Sequence, residues 1–219
     1  MDEVKSRHDG LVHFHWPRHE FINAATHFVG LVMALSAAPV LIVMASLSGT
    51  PEELYTFIVY SASLILLYLV STLYHAWPPG RTKKLLQKMD HMMVYVLIAG
   101  TYTPFLVAEL GGWMGWSMFL VQWTLAAAGI GVKAVHGDNY DFISTIAYLL
   151  MGWVGLIAIV PMYEELPEAS FTLVLAGGIA YTIGTVFYRW ESIPFNHGIW
   201  HVIVLIASAC HFTAVFYLL

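Results

Sequence analysis

Residues 196–219 read NHGIWHVIVLIASACHFTAVFYLL. From His197 to Leu219 the run contains no Asp, Glu, Lys or Arg. It is long enough to cross the hydrocarbon core of a bilayer, for which about 20 apolar residues suffice. His197 and His201 open it four residues apart, so a single helical face carries both. Two questions follow: how many such segments the chain holds, and why this one begins with two imidazoles.

The whole chain shares the apolar bias. Of its 219 residues, 59% are hydrophobic and 11% are charged, whereas a soluble domain carries about 25% charged residues. The surrounding medium is therefore lipid. The single cysteine, Cys210, excludes an intrachain disulfide framework and a cysteine cage for zinc. A net charge of −5 without a basic cluster gives no reason to expect nucleic acid as a partner. The polar N-terminus, MDEVKSRHDGLVHFHWPRHE, has no apolar stretch leading to a cleavage site, so the first apolar segment reads as retained.

Seven segments have spanning length: Glu20–Ser46, Glu52–Ala76, Lys84–Val107, Gly112–Val135, Tyr140–Pro161, Ser170–Trp190 and His197–Leu219. Short linkers rich in Gly, Pro and Asn separate them, so sequential helices run antiparallel. The expected fold is an all-α membrane protein, a seven-transmembrane helix bundle, with residues 1–219 as one unit and 1–19 as a polar cytoplasmic segment. Neither internal repeats nor mid-membrane helix breaks are expected, which argues against a transporter.

Orientation follows from Lys and Arg in short loops. All nine (Lys5, Arg7, Arg18, Arg81, Lys83, Lys84, Lys88, Lys133 and Arg189) fall on one face. Glu52, Glu53, Glu109, Glu164, Glu165 and Glu168 occupy the other. This places the N-terminus in the cytoplasm and the C-terminus outside.

Ionisable side chains inside a span are costly and point to function. Ser71 and His75 share a face near the end of span two; Asp90 lies near the start of span three, and His197 and His201 open span seven. The topology brings all five to the same depth on the basic side. Three neutral imidazoles with an open fourth position are the donor set of a catalytic zinc site. His197 and His201 supply two, and His75 is the candidate third. Asn196 is a candidate cap for span seven. On span one, Glu20, Asn23 and His27 follow helical spacing and suit interhelical hydrogen bonds better than ligation. His91 points about 100° away from Asp90. His211 lies too deep to share a metal with His201, and His136 falls at a helix end. His13, His15 and His19 form a solvated approach to the membrane, and Trp16, Trp77 and Trp113 serve as interfacial anchors.

At HEFINAATHFVG (19–30), STLYH (71–75), DHMMVYVLIAGTYTPF (90–105) and FNHGIWHVIVLIAS (195–208) the chain resembles the hemolysin III branch of the progestin and adipoQ receptor family. That family belongs to a wider group of membrane proteins sharing a serine, an aspartate and three histidines, many thought to be metal-dependent hydrolases. The resemblance implies seven helices, a cytoplasmic N-terminus and zinc on His75, His197 and His201 near the inner leaflet. It also implies that Asp90 contacts a zinc-bound water and that Ser71 fills the serine position. Glu20, Asn23, Thr26 and His27 match the first family motif. The short N-terminus resembles the bacterial branch, which implies the bacterial cytoplasmic membrane.

The expected function is zinc-dependent hydrolysis of a membrane lipid amide or ester. Zinc lowers the pKa of its water to about 7, Asp90 acts as general base, and Ser71 hydrogen-bonds Asp90 or the substrate. A serine nucleophile at Ser71 is disfavoured without a G-x-S-x-G elbow. The alternative is a non-catalytic, receptor-like or pore-forming membrane protein with structural zinc, in which Asp90 is the fourth ligand. A G-protein-coupled receptor is disfavoured by the orientation, and a retinal protein by the absence of lysine in span seven.

Overall fold

A computed structural model describes residues 17–219. Lys5, Arg7, His13, His15 and Trp16 of the polar N-terminal stretch lie outside the described residues. The helices are α1 (Arg18–Ser48), α2 (Pro51–Ala76), α3 (Arg81–Thr103), α4 (Gly112–His136), α5 (Asp141–Gly152), α6 (Ile159–Glu165), α7 (Glu168–Arg189) and α8 (Asn196–Phe216). A π-helical turn, Pro104–Leu110, prolongs α3, and a 3-10 turn, Val154–Ala158, joins α5 to α6. Together they make seven helical rods long and apolar enough to cross a membrane, with no strand among the described residues. The protein is an all-helical integral membrane protein.

Local chemistry sets the boundaries. Thr50 opens α2 with a reciprocal capping box: its hydroxyl accepts from the Glu53 N–H at 3.2 Å, and the Glu53 carboxylate accepts from the Thr50 N–H at 2.5 Å. Pro51 fills the first helical position, where a missing N–H costs nothing. The rod through α3 starts at Arg81 rather than Lys84, because its first turn is outside hydrocarbon and can be charged. Pro104 interrupts the regular ladder and the chain widens into the π turn. Gly111, at φ 55°, ends that turn and donates its N–H to the Leu106 carbonyl at 3.0 Å.

The rods form a ring. α1 packs against α2 and α8, α2 against α3, α3 against α4 and α5, α5 against α7, and α7 against α8. Large apolar side chains such as Phe21, Leu47, Leu120, Phe142 and Val160 stay exposed on the outside. That face suits lipid, where apolar exposure has no cost. Leu41, Phe57, Leu64, Phe105, Leu106 and Val215 pack the interior. Alternation of the rods puts Arg18, Arg81, Lys83, Lys84, Lys88, Lys133 and Arg189 at one end of the ring. Glu52, Glu53, Glu109, Glu164, Glu165 and Glu168 lie at the other.

The fifth rod departs from expectation. Residues Tyr140–Pro161 read as an unbroken span, yet the helix stops at Gly152, tightens to 3-10 geometry and restarts at Ile159. Gly152 and Gly155 flank Trp153 and weaken the helix there. The freed backbone groups find side-chain partners, as membrane burial requires. The Tyr102 hydroxyl donates to the Gly152 carbonyl at 2.5 Å and accepts from the Gly155 N–H at 3.0 Å. Gln122 donates to the Met151 carbonyl at 2.9 Å, and the Trp153 indole donates to Thr182 at 3.0 Å. Tyr102→Phe is therefore expected to lower unfolding stability in detergent by about 1–3 kcal/mol; an unchanged unfolding midpoint would show that the break does not depend on that hydroxyl.

Candidate metal centre

The end of α2 carries Ser71 and His75 inward, 0% and 2% exposed respectively. Asp90 sits more than two turns inside α3 and is buried, so it is not a helix cap. α8 begins after a left-handed residue, Phe195 at φ 58°, which bends the chain from α7 into the new helix. Asn196 does not cap α8, contrary to expectation. Its amide instead donates backward to the Phe187 and Tyr188 carbonyls at 3.3 and 3.2 Å. The Phe187 carbonyl also accepts from the Trp190 N–H at 3.1 Å, so the asparagine supplements the pairing of these end carbonyls of α7 where α8 starts. Gly198 lets α1 approach: a β-carbon there would stand 3.1 Å from Ile22 and 3.3 Å from the Asn23 side-chain oxygen.

The three histidines meet. Ring centroids are 4.9 Å apart for His75 and His201, 5.1 Å for His75 and His197, and 4.6 Å for His197 and His201. One nitrogen from each lies within 4.8 Å of the others. The Nε2 atoms of His75 and His197 are 3.3 Å apart. Two nitrogens bound tetrahedrally to Zn2+ at about 2.0–2.1 Å would be separated by about 3.3–3.4 Å. No fourth His, Cys, Asp or Glu among the described residues joins the set. The donor set fits a three-coordinate metal site with one position free.

Two of the remaining ring nitrogens face α1. His75 Nδ1 is 2.7 Å from Glu20 Oε2. His201 Nδ1 is 3.1 Å from the Asn23 carbonyl oxygen and 3.2 Å from Thr26 Oγ1. Of the α1 residues expected to make interhelical hydrogen bonds, Glu20 does so through its side chain and Asn23 through its backbone, whereas both ring nitrogens of His27 are buried without a hydrogen-bond partner among the described residues. Asn23 contributes its backbone rather than its side chain to His201, a role no sequence pattern reveals. His27 is buried and stacks on His201 with centroids 3.5 Å apart, while Tyr68 meets it edge-on at 5.2 Å.

A cavity of about 180 Å3 opens beside this group. Ser71, Asp90, His197, His201 and His27 are among its lining, and Leu67, Leu97, Trp200 and Val204 lie among its apolar walls. Ser71 Oγ is buried with no hydrogen-bond partner, so the expected Ser71–His75 spacing does not form a nucleophile–base pair. His91 lines the cavity but turns to Asp141, its Nδ1 lying 3.7 Å from Oδ1. His211 donates to or accepts from nothing in the triad; its Nε2 faces the Val174 carbonyl at 3.1 Å. One cluster was not visible in the sequence. Asp141, at the start of α5, takes Lys133 at 3.3 Å, Tyr188 at 3.1 Å and Arg189 at 3.4 Å. Lys133, expected at the end of the fourth span, is 1% exposed. Its place at a helix end concealed that burial.

The haemolysin-III related family matches residues 14–212. The chain belongs to the haemolysin III family. It is 45% identical to Hemolysin-3 of Bacillus cereus over 203 residues, covering 92% of this chain and 93% of that one. Against the Hemolysin-3 homolog of Bacillus subtilis (strain 168) it is 42% identical over 200 residues, covering 91% and 94%. Against the human monocyte to macrophage differentiation factor it is 29% identical over 202 residues, covering 88% and 81%. The last likeness supports placing this haemolysin III member within the progestin and adipoQ receptor family. No solved structure matches.

Proposed function

We propose that this protein is a zinc-dependent hydrolase of a lipid amide or ester, with its metal centre and N-terminus on the cytoplasmic side. The observation that carries the reading is the convergence of three imidazole nitrogens within 4.8 Å, two of them from His197 and His201, which line a largely apolar cavity together with Asp90. His75, His197 and His201 would hold Zn2+. When bound, Zn2+ supplies Lewis acidity and lowers the pKa of water to about 7. The apolar walls take the acyl chain and exclude bulk water from the reacting end. Asp90 accepts the proton of the attacking water as its oxygen adds to the carbonyl carbon. That proton passes to the departing nitrogen or oxygen as the C–N or C–O bond breaks, releasing a fatty acid and an amine or alcohol. Ser71, whose hydroxyl has no other partner, donates to the substrate carbonyl or to Asp90.

A three-histidine set with no fourth protein ligand among the described residues supports catalysis over structural zinc. The relatives' name ascribes haemolysis to them, which raises a pore as a second reading. The test is hydrolysis of a lipid library by purified protein with and without chelator. Release of fatty acid that chelator abolishes and Zn2+ restores supports the enzyme. Ion conductance without turnover would favour the pore. The orientation is tested by a C-terminal tag: labelling by an impermeant reagent on intact cells is expected, and protection would reverse the topology.

A further inference from the structure

The polar first turns of α1 face two of the three histidines, and only one of those contacts is made by an ionisable side chain. Glu20 is 17% exposed at its side chain and lies where α1, α2 and α3 meet. Its Oε2 takes His75 Nδ1 at 2.7 Å, and its Oε1 takes Lys83 Nζ at 3.2 Å. Lys83 also donates to the Tyr74 and Trp77 carbonyls at 3.1 and 3.3 Å, and its ammonium lies 4.9 Å from the centroid of the Tyr74 ring. The first turn of α3 is thereby tied to the end carbonyls of α2, immediately beside His75.

An imidazole presents either nitrogen to a metal, and the hydrogen bond made by the other decides which. A carboxylate accepts only, so His75 must carry its proton on Nδ1 to satisfy Glu20. That leaves the lone pair on Nε2, the nitrogen that stands 3.3 Å from His197 Nε2. The same logic holds at His201, where the Asn23 carbonyl is an acceptor facing Nδ1 at 3.1 Å. There the acceptor is backbone, and a side-chain substitution cannot remove it. Glu20 is the point at which the outer layer can be altered without touching a ligand.

We infer that Glu20, held in place by Lys83, is a positioning residue that fixes His75 in the Nδ1–H tautomer and so presents its Nε2 to the metal. The inference rests on the three-histidine metal reading and adds a residue to it. Lys83 orients the carboxylate and balances its charge, so the buried junction carries no unpaired anion. His75 receives a partner that raises its basicity as a ligand, a contribution worth about 10–100-fold in metal affinity at comparable sites.

The test is Zn2+ affinity, measured by competition with a chromogenic chelator on the full chain in detergent micelles. Glu20→Leu, which removes the acceptor, is expected to bind zinc about 10–100-fold more weakly at unchanged stoichiometry, with Glu20→Gln, whose amide oxygen still accepts, recovering part of the loss. A merely structural salt bridge would lower the unfolding temperature and leave affinity alone. Wild-type affinity in Glu20→Leu, alongside loss of zinc in His75→Ala, overturns the role of Glu20 and keeps the metal reading. Full zinc binding in His75→Ala overturns the metal reading itself. If Glu20→Leu does not fold, nitrogen NMR of 15N-histidine-labelled wild-type protein decides. Protonated Nδ1 and unprotonated Nε2 on His75 support the inference, and the opposite tautomer refutes it.

Discussion

Replacing His197 by alanine is expected to remove most of the zinc that the proposed centre binds. Two imidazoles of the set remain, one from α2 and one from α8. The expected loss in affinity exceeds the roughly 100-fold that an outer-shell change can cost, because a direct ligand is deleted. His197 is half-buried in the first turn of α8, so its truncation removes little packing. The fold is expected to survive, held there by the Asn196 contacts to α7. Zinc per mole of protein, measured by mass spectrometry on purified material, checks this. The competing account of the 3.3 Å contact is a plain N–H···N hydrogen bond between His197 and His75. That account predicts no zinc in the wild-type protein and a stability loss of about 1 kcal/mol in the variant.

Asp90→Asn separates chemistry from binding. The carboxylate is buried and lines the cavity with Ser71, His197 and His201, but it is outside the three-nitrogen set. An asparagine keeps its shape and loses only the ability to take a proton. Zinc content is expected to stay at the wild-type level. Hydrolysis is expected to fall by about 100- to 10,000-fold, the usual contribution of a general base. Turnover by the variant at the wild-type rate would remove Asp90 from the reaction. Loss of zinc in the variant would instead make it a ligand and revive the structural-metal alternative.

Much of this architecture was legible in the sequence because a bilayer constrains it so tightly. Backbone polar groups must pair within each span, so span length and helix length coincide, and α2 and α4 begin or end within a residue or so of their apolar runs. Charge in short linkers sorted the two ends of the ring. Depth and topology put Ser71, His75, Asp90, His197 and His201 at one end of the bundle, and of these His75, His197 and His201 come within metal-sharing distance.

What escaped depends on long-range partners. The break after Gly152 needs Tyr102, fifty residues earlier, to satisfy the carbonyl it frees. Two glycines inside an otherwise apolar run were the only local hint, and glycine is common in membrane helices. Asn196 looked like a helix cap because it precedes α8, yet the carbonyls it reaches belong to α7. The partner of Glu20 lies 55 residues downstream. Helical spacing showed that Glu20, Asn23 and His27 share a face but not what that face touches. Lys133 and Asp141, eight residues apart across a turn, pair with the lysine buried and the aspartate partly exposed, which charge counting does not show.

Zinc K-edge X-ray absorption on the purified protein is the most direct measure of whether three imidazoles share one ion. Three nitrogen scatterers at about 2.0–2.1 Å, with imidazole outer-shell features and one further light atom, are expected. A spectrum with sulfur neighbours, fewer than three imidazoles, or no zinc above background would contradict the metal centre and the hydrolase built on it.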